Sequence, residues 1–196
     1  SEYVIPTMKV YNSVEEIDLN ELPEAFVLKT THGGGSGGVV VCKDKNKLDI
    51  QTAKAKLLKS LHSKDSRYSE WPYSNVPRKI IAEHYMEDEN GELRDYKFFC
   101  MNGEPKFLFM ASGRMKDGAL TFDFLDMDYN WLPVRNGHPN SKTPPQKPQN
   151  FDKMIELARK LSQGEAFVRV DLYNIRGKIY FGEYTFFSGG GFDLYI

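Results

Sequence analysis

From residue 79 onward, apolar segments follow one another across turns too short to carry a crossover, and this limits the fold more than any other feature. Lys79 to Met86, Asp95 to Met101, Pro105 to Ala111 and Leu120 to Asp126 read as strands. They are separated by Glu87-Asp88-Glu89-Asn90-Gly91, Asn102-Gly103 and Asp117-Gly118. Ala166 to Tyr173 and Lys178 to Thr185 flank the turn Asn174-Ile175-Arg176-Gly177. A parallel pair needs a connection of about a dozen residues or more, whereas a tight turn closes an antiparallel hairpin. Upstream, Ala25 to Thr30 and Val39 to Cys42 are strand-like on either side of a glycine run. A helix is predicted over Asp49 to His62, with Ala53, Ala55, Leu57, Leu58 and Leu61 as its apolar face. A second covers Phe151 to Leu161, with Asn150 or Asp152 near its cap and Gly164 past its end. Asn12 to Leu22 reads as a short helical turn and loop. Residues 135–150 hold four prolines and read as an exposed loop. This order predicts an α+β fold with antiparallel sheets and excludes a doubly wound parallel one.

Charge narrows the function classes. Lysine plus arginine number 26 and aspartate plus glutamate 27, a net charge of −1 in 196 residues. That balance argues against a protein living by non-specific grip on nucleic acid or anionic membrane. With 40% apolar and 27% charged residues the chain is globular rather than disordered. No apolar run approaches the ~20 residues of a bilayer span, and no signal peptide is visible. Cys42 and Cys100 each lie in an apolar run and make no metal spacing, so they read as reduced, buried thiols of a cytoplasmic protein. The start at Ser1 and the apolar end at Ile196 suggest part of a longer protein.

The glycine run is the first candidate site. Gly33-Gly34-Gly35-Ser36-Gly37-Gly38 follows His32, with Lys29 just before it. A flexible linker is the plain alternative. A dinucleotide motif would need a helix next, and Val39-Val40-Val41 signals a strand; a Walker loop would need Lys-Ser/Thr where Val39 stands. What remains is a strand–glycine loop–strand hairpin whose backbone N–H groups cover phosphates beside a lysine.

The last hairpin is the second. Val168, Val170 and Leu172 form its apolar face, so Arg169 and Asp171 project oppositely. Glu183 and Thr185 share a face on the return strand, and the turn allows Asp171 to stand near Glu183. Converging carboxylates repel and call for a proton or a cation, and magnesium suits carboxylates plus phosphates. A pair of solvated strand carboxylates is the alternative. An arginine on that face fits charge on a transferring phosphoryl group. Alternation also puts Asp95 and Lys97 on one face, which taken alone reads as a solvated charge pair. Asp126, Asp128 and Asn130 begin like a calcium loop, but Trp131 and Gly137 occupy its glycine and glutamate positions. His32, His62, His84 and His138 make no zinc spacing, and no serine lies in an elbow pattern.

In chain order these pieces resemble the ATP-grasp superfamily, and within it the teichuronopeptide-biosynthesis-type proteins of bacterial surface-polymer clusters. The resemblance runs from about Ile5 to Phe192. It rests on Phe26 to Gly33, Ile80 to Glu83, Asp95 to Phe99, Phe167 to Tyr173 and, most specifically, Tyr180 to Phe186. It implies two small lobes with antiparallel sheets and ATP between them, the first over about 23–86 and the second over about 94–196. The N-terminal lobe that usually precedes this region is absent from the sequence as given. By resemblance Lys29 contacts phosphates under Gly33, Gly34, Gly35, Ser36, Gly37 and Gly38. The backbone of Glu83, His84, Tyr85 and Met86 holds adenine, Asp95 the ribose and Lys97 a phosphate. Asp171 and Glu183 hold Mg2+, with Thr185 at a metal position where asparagine is common. Arg169 steadies the acyl phosphate, and Arg114 is a candidate for the substrate carboxylate. The implied activity is an ATP-dependent carboxylate–amine ligase. An ATP-grasp kinase, a non-catalytic nucleotide-binding module and a polysaccharide-cluster glycosyltransferase are the alternatives.

Overall fold

A computed structural model describes residues 2–32, 36–63, 75–113, 120–191 and 195–196. The chain divides into two compact units, Ile5–Tyr85 and Ser1–Val4 with Met86–Ile196.

The smaller unit is a four-stranded antiparallel sheet in the order β1-β4-β2-β3. Its strands are β1 (Thr7–Tyr11), β2 (Phe26–Thr30), β3 (Val39–Cys42) and β4 (Ile80–His84), and α1 (Ile50–Leu61) packs against it. Phe26, Leu28, Ile80 and Ala82 are fully buried, as the alternation requires. Asp49 caps α1, its carboxylate accepting the Gln51 and Thr52 N–H groups. The buried stripe of α1 is Ala53, Leu57 and Leu61, four residues apart; Ala55 and Leu58 face solvent, so the apolar face is narrower than predicted. Strand β1 was not expected. Thr-Met-Lys-Val-Tyr lies on the sheet edge, largely exposed, and its register shifts between Thr7 and Lys9, which breaks the apolar alternation a regular strand would show.

The larger unit is a five-stranded antiparallel sheet in the order β7-β6-β5-β8-β9. Its strands are β5 (Asp95–Met101), β6 (Glu104–Ser112), β7 (Thr121–Asp126), β8 (Phe167–Ile175) and β9 (Lys178–Thr185). Helix α2 (Phe151–Leu161) lies on one face against β5, β6 and β8. There Phe98, Leu108, Val168, Val170 and Leu172 meet Phe151, Met154 and Ala158, all shielded from water. Each of the larger of these side chains contributes roughly 1.5–3 kcal/mol when fully buried. The opposite face is divided. One part is a ring cluster of Phe99, Phe107, Phe109 and Phe124, with the Phe99 and Phe107 centroids 4.5 Å apart. The other part is polar and is described below. Cys42 and Cys100 are buried free thiols.

Two hairpins turn on residue pairs in the left-handed region, Asn102-Gly103 (φ 50° and 76°) and Arg176-Gly177 (φ 52° and 85°). These are turns of the mirror-image type that matches strand twist. The expected four-residue turn at 174–177 is thus two residues long, with Asn174 and Ile175 inside β8. Asn150 stands at the start of α2 but does not cap it; its side-chain amide donates to the Gly177 carbonyl at 2.9 Å instead. Asp126 closes its own turn, accepting the N–H groups of Asp128 and Asn130, so the calcium-like spacing is a hydrogen-bonded loop.

Candidate functional site

A β-bulge builds the polar face of the larger unit. Counting back from the Arg176-Gly177 turn, Asn174 pairs with Ile179, Tyr173 with Tyr180 and Leu172 with Phe181. A regular ladder would then set Gly182 opposite Asp171 and Glu183 opposite Val170, on the α2 side. The observed register skips Gly182, so Asp171 pairs with Glu183 and Arg169 with Thr185. One extra residue moves Glu183 and Thr185 onto the face of Arg169 and Asp171. A Cβ at Gly182 would sit 3.1 Å from both the Asp171 carbonyl oxygen and the Tyr173 ring, so a side chain fits poorly there.

Strand β5 completes the row, with Lys97 opposite Asp171. Lys97 Nζ is 2.7 Å from Asp95 Oδ2, bonds Asp171 Oδ2, and is 3.8 Å from Glu183 Oε1. Arg169 grips Asp171 with two N–H groups, Nε to Oδ1 at 2.8 Å and Nη2 to Oδ2 at 2.9 Å. The same guanidinium reaches Thr185 Oγ1 at 2.9 Å and Ser188 Oγ at 2.8 Å. Asp95, Lys97, Asp171 and Thr185 are all buried, which overturns the reading of Asp95 and Lys97 as a solvated pair. Ser188 was not singled out; it opens the turn Ser188–Gly191, where the sequence's only signal is a serine before three glycines.

Burial works to raise the Asp171 carboxyl, but Lys97 and Arg169 outweigh it and hold the group below the ordinary carboxylate range. Glu183 shifts upward, through loss of hydration and the neighbouring Asp171 charge. Its side chain is 60% exposed, so its carboxylate is the open oxygen donor of the cluster. Asp171 has both oxygens engaged, and the Thr185 hydroxyl already accepts from Arg169. Among the described residues no three His, Cys, Asp or Glu side chains form a metal cage. The set nonetheless fits a magnesium ion, which takes one or two carboxylates and leaves its other positions to phosphates and water.

In the smaller unit Lys29 Nζ lies 2.8 Å from Glu83 Oε2. Gly33, Gly34, Gly35 and Arg114 lie outside the described residues. Ser36 and Gly37 are exposed, and Gly37 has open space around it. Gly38 is wedged: a Cβ there would meet Thr30 Oγ1 at 2.1 Å and Ser60 Oγ at 2.5 Å. Thr30 and Ser60 are themselves 2.9 Å apart, and His32 Nε2 is 2.9 Å from the Ser60 carbonyl oxygen, which ties the loop's base to α1. Glu83 and His84 end β4, His84 exposed; Lys43 Nζ stands 5.1 Å from the Tyr85 ring centroid. Tyr85 closes the smaller unit and Met86 opens the main segment of the larger one.

The TupA-like ATP-grasp family matches residues 1–196. The chain belongs to that family. Its fold is similar to a D-alanine–D-alanine ligase from Bacillus anthracis solved with ATP, at 14% identity and a TM-score of 0.51, over 93% of this chain and 49% of that one. A RimK-domain ATP-grasp protein from Sphaerobacter thermophilus matches at 11% identity and a TM-score of 0.46, over 92% of this chain and 51% of the other. The chain thus spans about half the length of these structures. No curated protein matches the sequence. The two antiparallel sheets with few helices are those of ATP-grasp ligase folds, as the α+β reading expected.

Proposed function

We propose that this TupA-like chain is the nucleotide-binding region of an ATP-dependent carboxylate–amine ligase that works in teichuronopeptide-type surface-polymer synthesis. The observation that carries the reading is the row Lys97–Asp171–Glu183 with Arg169 beside it. Two cations and two carboxylates, gathered on one sheet face with one carboxylate open to solvent, are what a bound phosphate chain with its counter-ion requires. Lys29 and the Ser36–Gly38 arm of the glycine loop are the smaller unit's phosphate contacts. Adenine is assigned to the backbone of residues 83–86 and the ribose to Asp95. Glu183, with Asp171, would hold Mg2+, which supplies charge neutralisation on the phosphates.

In the proposed reaction a substrate carboxylate oxygen attacks the γ-phosphorus and ADP leaves. An amine then attacks the acyl carbon, loses a proton, and expels phosphate as the amide forms. Arg169 donates to the acyl phosphate formed in the first step and to the acyl oxygen that gains charge when the amine adds in the second. Its geometry suits this role, because Asp171, Thr185 and Ser188 fix the guanidinium plane. Arg169→Lys, which keeps a cation beside buried Asp171 but loses the forked donor, is expected to depress turnover strongly and leave ATP affinity nearly intact, since the contact to the reacting oxygens is used mainly in the transition state. Hydroxylamine added to the protein together with any sequence that precedes it, ATP, magnesium and a carboxylate tests the reaction type. A hydroxamate supports the ligase; ADP with a stable phosphate ester and no hydroxamate replaces it with a kinase; ATP binding without turnover leaves a binding module.

A further inference from the structure

On the α2 side of the larger unit, across the sheet from Lys97 and Asp171, is a cavity of about 380 Å³. Glu89, Arg94, Lys147, Gln149, Asn174 and Arg176 line it. Its wall is braced before any ligand arrives. The Asn174 amide donates to the Gln149 carbonyl at 2.7 Å and the Gly177 N–H to Asn174 Oδ1 at 2.9 Å, while Asn150 holds the Gly177 carbonyl. A Cβ at Gly177 would sit 3.0 Å from both the Asn150 and Gln149 side chains, so hairpin tip and loop are in close contact.

The cations are not equally engaged. Arg94 is matched by Asp88 at 2.5 Å and Glu89 at 2.6 Å. Lys147 has one carboxylate, Asp152 at 3.8 Å with its side chain 89% exposed, and its ammonium stands 5.1 Å from the Phe151 ring centroid. Arg176 makes no ion pair or hydrogen bond with any described residue. Arg176 also holds a conformation that suits it badly. It takes φ 52° at the first position of a turn whose counterpart, Asn102-Gly103, carries asparagine, the residue that tolerates this geometry best. A strained, unpaired arginine at the mouth of a braced polar cavity points to a use beyond turning the chain. On the same side of the sheet, in the core under α2, the hydroxyl of fully buried Tyr96, two residues along from Arg94, has no hydrogen-bond partner among the described residues.

We propose that this cavity is a second ligand site that takes an oxyanion, a phosphate or a carboxylate, with Arg176 and Lys147 as its cations. It is separate from the nucleotide cluster and does not depend on the ATP reading. Two sources share that chemistry, phosphorylated molecules and uronic acids, so inorganic phosphate and glucuronate are titrated separately against the isotope-labelled chain, with the Gly177 and Gln149 amide resonances followed. Saturable shifts with either ligand are expected, the tighter one naming the source. Arg176→Asn is the deciding variant, because asparagine improves the turn. Loss of a charged hydrogen bond weakens binding by about tenfold while the melting temperature holds or rises. Lys147→Gln is expected to act in the same direction, and Lys97→Met, if folded, to leave these shifts unchanged. Absence of saturable shifts at millimolar ligand, equal affinity in Arg176→Asn, or loss of the shifts in a folded Lys97→Met would overturn the proposal.

Discussion

Lys97 sets the charge balance of the polar face. It stands between Asp95 and Asp171, both buried, and the remaining cation, Arg169, is committed to Asp171. Removing one partner of a buried pair leaves an uncompensated charge, which costs about 3–5 kcal/mol. Lys97→Met is therefore expected to lower the urea midpoint sharply at neutral pH, and Lys97→Arg to recover much of the loss. The signs at low pH follow from the two shifted carboxyls. Asp171, held below its unfolded value, contributes stability that is present above the ordinary carboxylate range and lost as pH falls through its folded value. Glu183 is shifted the other way, so its ionisation opposes folding as pH rises through and above that range. Glu183→Gln should thus raise stability at pH 7, by less than about 1 kcal/mol because the side chain is largely exposed. The same change should weaken binding of magnesium-ATP. Thermal melts with and without nucleotide check both halves, and a destabilised Gln variant would contradict the repulsion assigned to this pair.

At the scale of elements, β9 shows why the site was only partly legible in the sequence. Alternation alone placed Val168, Val170 and Leu172 on one face and Arg169 and Asp171 on the other, since β8 is regular. Strand β9 is not: Phe181 and Tyr184, three residues apart, both pack on the α2 side, which only an extra residue between them permits. A glycine inside a strand pattern signals such a bulge, and Gly182 carries that signal. Deleting Gly182 should remove the bulge and leave Glu183 opposite Asp171, and Thr185 opposite Arg169, in a regular ladder. The expected result is a folded protein that keeps its nucleotide-dependent melting shift. A folded deletion variant that loses the shift would show that the site needs the local bend at Gly182 and not only the face on which Glu183 stands. Other features were hidden for different reasons. The burial of Asp95 and Lys97 depends on β8 and the segments beyond it, whereas isolated strand charges look solvated. Strand β1 lacks the apolar period because its register against β4 shifts between Thr7 and Lys9 and most of its side chains are exposed. The start of α1 at Asp49 and the asparagine–glycine turn, by contrast, depend on residues close in sequence and are legible locally.

For the whole molecule, the nucleotide proposal carries a thermodynamic signature. A ligand that binds only the native state adds about 2.7 kcal/mol at a hundredfold excess over its Kd. Magnesium-ATP should raise the melting temperature of this chain, and Lys29→Ala should remove most of the rise. The substitution itself costs little, because the Lys29–Glu83 pair is one-third exposed on the lysine side. No shift with any purine nucleotide would defeat the proposal. A further consequence comes from where the cluster's members sit in the strand order. Lys97 is on the central strand β5 and Asp171 and Arg169 on β8, each flanked by neighbours on both sides, while Glu183 is on the outermost strand, β9, tacked on its far side by Tyr3 and a bridge from Val4 to Phe181. Amide protons of interior strands exchange with solvent mostly through global opening, and those of outer strands through local fraying. The cations and Asp171 thus sit on the slowest-exchanging part of the sheet, and the open carboxylate on a part that can detach and return on its own. Deuterium uptake should be faster along β9 than along β5 or β8, and a ligand held by Glu183 should slow it there first, with β5 already protected in the free protein.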